Sequence, residues 1–230
     1  MLDERVYASS LADELLCVSA ADGSLIWSHR SDFQTQERIL NLTPAISRGT
    51  VFFGGLDGTA YALRHEDGER LWETPLGESI RTSVCVVENG VVMGTTDGTL
   101  HLLDTETGVL EKQLNVNKEP SAAMVEAGGM LLVCTDWIYP SSELMCVDTS
   151  LTHIAWTLES PEGSWSTPRP YIYGERIFLG NTRGGVLEYR IEDGQLVRST
   201  QVEGIIRGIR LVDDVLYVGN QEGTVYAIKR

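Results

Sequence analysis

Thr50-Val51-Phe52-Phe53-Gly54-Gly55-Leu56-Asp57-Gly58-Thr59-Ala60-Tyr61-Ala62-Leu63-Arg64-His65-Glu66-Asp67-Gly68-Glu69-Arg70-Leu71-Trp72 reads as strand, turn, strand, turn and strand. Its apolar runs are too short for helices, are rich in β-branched and aromatic residues, and are punctuated by Asp-Gly. Val6 through Trp27 matches Val51 through Trp72 without gaps at an offset of 45, with Asp22-Gly23 falling on Asp67-Gly68. Further copies start at Val91-Val92-Met93-Gly94, Leu131-Leu132-Val133-Cys134, Ile177-Phe178-Leu179-Gly180 and Leu216-Tyr217-Val218-Gly219. A unit of short strands repeating about every 40 residues is the signature of propeller blades.

The quoted copy defines four strands: Thr43 to Ser47 (A), Thr50 to Gly54 (B), Thr59 to Arg64 (C) and Glu69 to Thr74 (D). Asp57-Gly58, repeated at Asp97-Gly98, predicts a two-residue type I′ hairpin between B and C. Arg183-Gly184 and Glu222-Gly223 keep only the glycine, so the conformational demand falls there. A second turn follows strand C at Glu66-Asp67-Gly68, Glu106-Thr107-Gly108 and Glu192-Asp193-Gly194. Four residues beyond that glycine stand Trp27 and Trp72, with Trp156 at the matching place in a copy that carries Thr152 instead of glycine. A large flat side chain at a fixed place on each outer strand suits packing between blades. Lys112 and Arg198 replace it in two copies, where the contacts are expected to be weaker or wetter.

A chain of 230 residues that is 42% hydrophobic and 22% charged is an ordinary globular composition. No apolar run approaches the roughly 18 residues of a membrane helix. Met1-Leu2-Asp3-Glu4-Arg5 is charged and runs into the first strand, so no signal peptide is expected in this chain. The net charge of −15 argues against nucleic acid or an anionic membrane as partner, since both demand clustered positive charge. The basic residues are 15 Arg and three Lys.

Cys17, Cys85, Cys134 and Cys146 lack close spacing and read as small buried hydrophobes. Aligning the fourth hairpin on its neighbours pairs Cys134 with Met145 and Val133 with Cys146, which would put the two thiols on opposite faces. His29, His65, His101 and His153 are scattered and define no metal centre. Signatures of zinc hydrolases, serine hydrolases, P-loops and dinucleotide-binding turns are absent from the chain.

Gly58 to Leu63, Asp97 to Gly108 and Gly223 to Ile228 resemble the PQQ-like repeat, dG-x-l-y-a-l-d-x-x-t-G-x-x-x-W, and the resemblance covers the whole chain. It implies an all-β propeller of four-stranded blades in the quinoprotein alcohol dehydrogenase-like class. That class includes PQQ-dependent alcohol dehydrogenases and the lipoprotein of the outer-membrane assembly complex, so an extracytoplasmic location is an implication of the resemblance. Its enzymes carry adjacent cysteines against the cofactor, carboxylate and amide calcium ligands and a catalytic Asp. No two cysteines here are adjacent and no calcium-binding D-x-D-x-D-G loop occurs, so no catalysis and no cofactor are expected.

Propellers bind where loops and innermost strands converge. Before strand A the copies read Leu42-Thr43-Pro44, Arg81-Thr82-Ser83, Pro120-Ser121-Ala122, Ser166-Thr167-Pro168 and Arg207-Gly208-Ile209. Arg81 and Arg207 share a repeat position, and Arg169 and Arg210 correspond just beyond it. Converging arginines would form a positive mouth for an anionic group or acidic partner segment; the alternative is surface arginine paired with carboxylates. The fourth copy inserts about four residues between B and C, within Asp136 to Ser142, and its Trp137 and Tyr139 either anchor a partner or fold back on their own blade. Trp165 is a further candidate for the binding surface. Asn41-Leu42-Thr43 matches a glycosylation sequon and equally fits a strand start.

The first copy begins at strand B and the last ends at strand C, giving 22 strands in blades at 1–30, 43–76, 81–115, 121–158, 166–202 and 205–230. One domain of about six blades, incomplete at both ends, is the expectation; a piece of a larger propeller and edge-to-edge assembly of two copies are its rivals. The function expected is a non-catalytic module that binds or scaffolds a protein. Its alternatives are a quinoprotein-type oxidoreductase or binder of a small anionic ligand, and a sensory propeller within a longer protein.

Overall fold

The computed structural model describes residues 4–9, 14–30, 43–135, 142–167 and 169–229, with the backbone alone described at 121 and 122. Among these, every regular element is a strand. The first sheet is β1 (Arg5–Ser9), β2 (Glu14–Ser19) and β3 (Leu25–Arg30). The second is β4 (Ala45–Ser47), β5 (Thr50–Gly54), β6 (Thr59–Arg64) and β7 (Arg70–Pro75). The third is β8 (Cys85–Val87), β9 (Gly90–Gly94), β10 (Thr99–Leu103) and β11 (Leu110–Asn115). The fourth is β12 (Pro120–Ala127), β13 (Met130–Thr135), β14 (Glu143–Asp148) and β15 (Ile154–Glu159). The fifth is β16 (Tyr171–Tyr173), β17 (Arg176–Gly180), β18 (Gly185–Arg190) and β19 (Leu196–Gln201). The sixth is β20 (Ile206–Val212), β21 (Val215–Asn220) and β22 (Val225–Lys229).

Among the described residues each sheet is an antiparallel meander in sequence order, the blade of a β-propeller, four-stranded in the middle four and three-stranded at the first and last. The chain forms two compact units, Met1–Ala122 and Ala123–Arg230.

The B-to-C turn differs from the expected type I′. Gly58 N–H donates to Gly55 C=O and Gly55 N–H to Thr59 C=O, and the same pair of bonds recurs at Thr95/Gly98/Thr99, Asn181/Gly184/Gly185 and Asn220/Gly223/Thr224. Only the glycine takes positive φ, +78° at Gly58 and +89° at Gly98; Asp57 and Asp97 do not. This is the arrangement of an ordinary turn closed by a left-handed glycine. It explains why Asp57, Asp97, Arg183 and Glu222 interchange before a glycine that all four of these turns keep. Where Asp is present, its carboxylate accepts the backbone N–H two residues on, 2.8 Å from Thr59 N and 3.2 Å from Thr99 N.

The blades are tied together by tryptophan. In the first unit Trp27 Nε1 donates to His65 C=O (3.0 Å) and Trp72 Nε1 to Thr105 C=O (3.0 Å), each in the C-to-D turn of the following blade. In the second unit Trp156 Nε1 donates likewise to Ile191 C=O (2.8 Å). The turn glycine is where each indole lies. A Cβ added to Gly68, Gly108 or Gly194 would come within 2.7, 2.6 and 2.9 Å of the rings of Trp27, Trp72 and Trp156 respectively. Lys112 and Arg198, in the tryptophan positions, are exposed. Beside Arg198 a gap of about 20 Å³ opens between the fifth and sixth sheets, lined by Phe178, Val186, Glu188, Thr200, Leu216 and Ile228. Arg198 Nη2 spans it to reach Lys229 C=O at 3.4 Å.

Strands B and C of the middle four blades are buried on both faces, so they read as continuous apolar runs rather than alternating ones. Val51 and Phe53 pack toward Leu15, Cys17 and Trp27, whereas Phe52 packs toward Val91, Met93 and Leu103. In the second unit Leu132, Leu144, Ile177, Leu179 and Leu187 fill one inter-blade core and Phe178, Val186, Ile206, Leu216 and Val218 the next.

The fourth hairpin corrects the expected cysteine register. Leu132 pairs with Cys146, Val133 with Met145 and Cys134 with Leu144. This one-residue difference turns the two thiols onto the same face, and both lie in the core with Trp165. They remain free thiols, and burial pushes each up to about 12.

Candidate functional site

In the second unit, residues from the innermost strands of three blades, Val125 of β12, Tyr171 and Ile172 of β16 and Arg207 to Arg210 of β20, surround an open concavity of about 470 Å³. Thr167, Arg169 and Pro170, from the segment before β16, complete its lining. Each of the three strands is an edge of its sheet.

Two local features place the arginines. Ile206 is fully buried, seated where Gly180 has no side chain, and its C=O accepts Ser166 Oγ at 2.7 Å. The next residue, Arg207, is therefore the first to leave the core. Ile206 pairs with Asn220 and Gly208 with Gly219, so Arg207 is the extra residue of a β-bulge. In a regular strand Arg207 and Arg210, three apart, would face opposite ways; the bulge re-aims one of them. Gly208, with open space where a Cβ would stand, leaves the approach clear.

Each guanidinium is held differently. Arg207 Nη2 donates to Gln221 Oε1 at 2.6 Å. Arg210 lies over the Tyr171 ring, 5.5 Å from its centroid, while the Tyr171 hydroxyl donates to Leu211 C=O at 3.3 Å. Arg169 is exposed. None of the three forms an ion pair with a carboxylate of the described residues, in contrast to Arg190 with Asp193 (2.7 Å) and Arg64 with Asp67 (3.1 Å). Arginine stays ionised at any physiological pH, so the concavity is a local positive site on a chain of net charge −15. Planar donors without carboxylate partners suit bidentate capture of carboxylate or phosphate.

The other candidates fall elsewhere. Arg81, in the first unit, is partly buried with Glu119 Oε1 3.9 Å away. Trp165 is corrected from surface candidate to core residue: it is 6% exposed, donates Nε1–H to Leu158 C=O at 3.5 Å and meets Tyr189 edge to face. The bridges Ile80↔Thr95 and Trp165↔Asn181, with Ile206↔Asn220, show that Trp165 occupies the place of the buried Ile80 and Ile206. That equivalence was legible in sequence, because Trp165-Ser166-Thr167 aligns with Ile80-Arg81-Thr82. Arg169 and Arg210 are not structural equivalents; Tyr171 pairs with Phe178 as Arg210 pairs with Tyr217, so Tyr171 stands in the place of Arg210. Sequence reading missed Tyr171 because two extra residues precede it. Trp137, Tyr139 and Asn41 lie outside the described residues.

A second concavity of about 410 Å³, in the first unit, is lined by Arg48, Glu88, Glu106, Phe52, Leu71 and Val86 among others and mixes both signs of charge. No group of three His, Cys, Asp or Glu residues among those described is placed to hold a metal ion. Among the described residues no helix is long and apolar enough to cross a membrane.

The family model described as outer membrane protein assembly factor BamB matches residues 2–164 and 40–230. The assembly factor BamB of Shewanella oneidensis is 23% identical over 218 residues, covering 84% of this chain and 53% of its own length. The chain thus spans about half the length of the curated relatives it matches. The crystal structure of BamB from Moraxella catarrhalis superposes with TM-score 0.60 at 14% identity, covering 97% of this chain and 81% of that one. Quinohemoprotein alcohol dehydrogenase from Comamonas testosteroni gives 0.66 at 14% identity, covering 99% and 45%. Blades, turns, tryptophan docking and the match along the sequence agree: the chain belongs to the PQQ-like repeat family described by outer membrane protein assembly factor BamB.

Proposed function

We propose that this chain is a non-catalytic propeller module that holds a protein partner and serves outer-membrane protein assembly outside the cytoplasm. The observation that carries the reading is the concavity bearing Arg169, Arg207 and Arg210, three cations without carboxylate partners among the described residues. Membership of the assembly-factor family supports it. Strand interiors are consumed by packing between blades, so the concavity and the loops are what remains for recognition.

The test is capture from the envelope fraction of the source cell, followed by titration of the purified partner. Arg207→Ala with Arg210→Ala is expected to weaken binding at least tenfold, the scale of one lost charged hydrogen bond. Unchanged affinity would remove this surface from the reading. Dye-linked alcohol oxidation after addition of PQQ and Ca²⁺ would overturn its non-catalytic part.

A further inference from the structure

From the lining of the arginine concavity, and resting on the protein-binding reading above, we infer that its ligand is an extended acidic peptide segment with apolar residues between its carboxylates. Three features of the site select that chemistry. Arg207 is braced by Gln221 and Arg210 by the Tyr171 ring, so two guanidinium groups are ordered before a ligand arrives and lose little freedom on binding. Val125, Pro170, Ile172 and Ile209 line the same concavity as the cations, giving apolar surface that a bare anion would not use. The walls are edge strands β12, β16 and β20, the element type that pairs with an extended backbone.

Size and charge point the same way. A volume of about 470 Å³ is that of a site for a short segment rather than a single ion. Nucleic acid is disfavoured because a polyphosphate running beyond the concavity would meet a chain of net charge −15.

A fluorescein-labelled peptide of eight residues alternating Asp and Leu tests the inference by anisotropy with the whole chain, against the same peptide with Lys for Asp. The acidic peptide is expected to bind. Arg207→Gln and Arg210→Gln should each weaken it about tenfold, Arg183→Gln on the exposed B-to-C turn should not, and binding should weaken from 50 to 300 mM salt. Arg207 and Arg210 are exposed, so circular dichroism and melting temperature should stay at wild-type values in these variants. Equal binding of the Lys peptide, or no loss in the double Gln variant, overturns the inference. Displacement by millimolar inorganic phosphate also overturns it, assigning a simple anion site instead. If the acidic peptide fails while the natural partner still depends on Arg207, the protein-binding reading stands and only this ligand chemistry falls; loss of both dependences removes both.

Discussion

Replacing Gly108 with Ala should cost far more than replacing Gly23 with Ala, although both glycines occupy the same turn. Their backbones match, with φ of +70° and +74° and an N–H bond back to Asp104 C=O (3.0 Å) and Ser19 C=O (2.9 Å). An alanine in that region costs about 1–2 kcal/mol at either site. No described atom lies within 4 Å of a Cβ at Gly23, whereas at Gly108 it would stand 2.6 Å from Trp72 Cδ2 and Cε3. The indole, only 8% exposed, would have to retreat, at about 1–3 kcal/mol for overpacking, and loosen its bond to Thr105 C=O, worth about 1 kcal/mol. Gly108→Ala should therefore exceed Gly23→Ala by about 2–4 kcal/mol, or roughly 4–16 °C in melting temperature for a chain of this size. Thermal and urea unfolding followed by tryptophan fluorescence read the difference. In a Trp72→Ala background most of the excess should vanish, leaving only the contact with Thr74 Oγ1, 2.9 Å from the added Cβ. Equal costs for the two alanines, or an excess undiminished by Trp72→Ala, would refute the claim that this glycine exists to seat the tryptophan.

Three further outcomes follow from buried polar groups. His101 is 2% exposed, with Nε2 2.9 Å from Thr95 Oγ1 and Nδ1 3.1 Å from Gln113 Nε2; Thr95 in turn donates to Asp97 Oδ1. Desolvation holds the imidazole below its usual range, the Asp97 charge offsetting part of the shift. The neutral ring is thus the folded form, and its stabilisation is complete above about pH 6.5 and lost as pH falls through the lower folded value, by up to about 1.4 kcal/mol per unit. His101→Gln should flatten that slope in urea melts at successive pH values; an unchanged slope rejects the assignment. The thiols of Cys134 and Cys146, pushed up to about 12, should resist alkylation at pH 8 until denaturant is added, and rapid native labelling of either would contradict their placement. Glu188, 5% exposed, faces Arg176 Nε at 3.4 Å, and Arg176 Nη1 is buried without a hydrogen bond. Glu188→Leu should destabilise by about 1–3 kcal/mol, less than a fully buried pair because the Arg176 side chain is 31% exposed. A neutral or stabilising result in denaturant melts would show that the carboxylate contributes no net attraction.

Blades could be read from the chain because each repeats the same local demands. Glycine at Gly58 and Gly98 is required by the backbone itself, and the apolar runs of strands B and C in the middle blades by burial on two faces; neither needs knowledge of distant residues. Even so, the turn type was misjudged, since Asp-Gly serves both a type I′ turn and a turn closed by one left-handed glycine. The cysteine register failed for a related reason: the inserted loop after Thr135 removes the fixed turn length that sets pairing in the other hairpins. The site was legible only in part. Arg207 and Arg210 stood out by position, but a bulge that turns two residues three apart toward one concavity leaves no mark in sequence.

By itself, then, the sequence determined the repeat, the number and order of strands, the glycine positions and the tryptophan on three of the outer strands, because these are set within one blade or by nearest neighbours. Tertiary structure alone decided which side chains meet. It left Arg169, Arg207 and Arg210 without carboxylates among the described residues and set Tyr171 beneath Arg210. Those outcomes depend on bulges and two-residue shifts that move a side chain by a whole face of the sheet, while altering the local pattern of apolar and polar residues hardly at all.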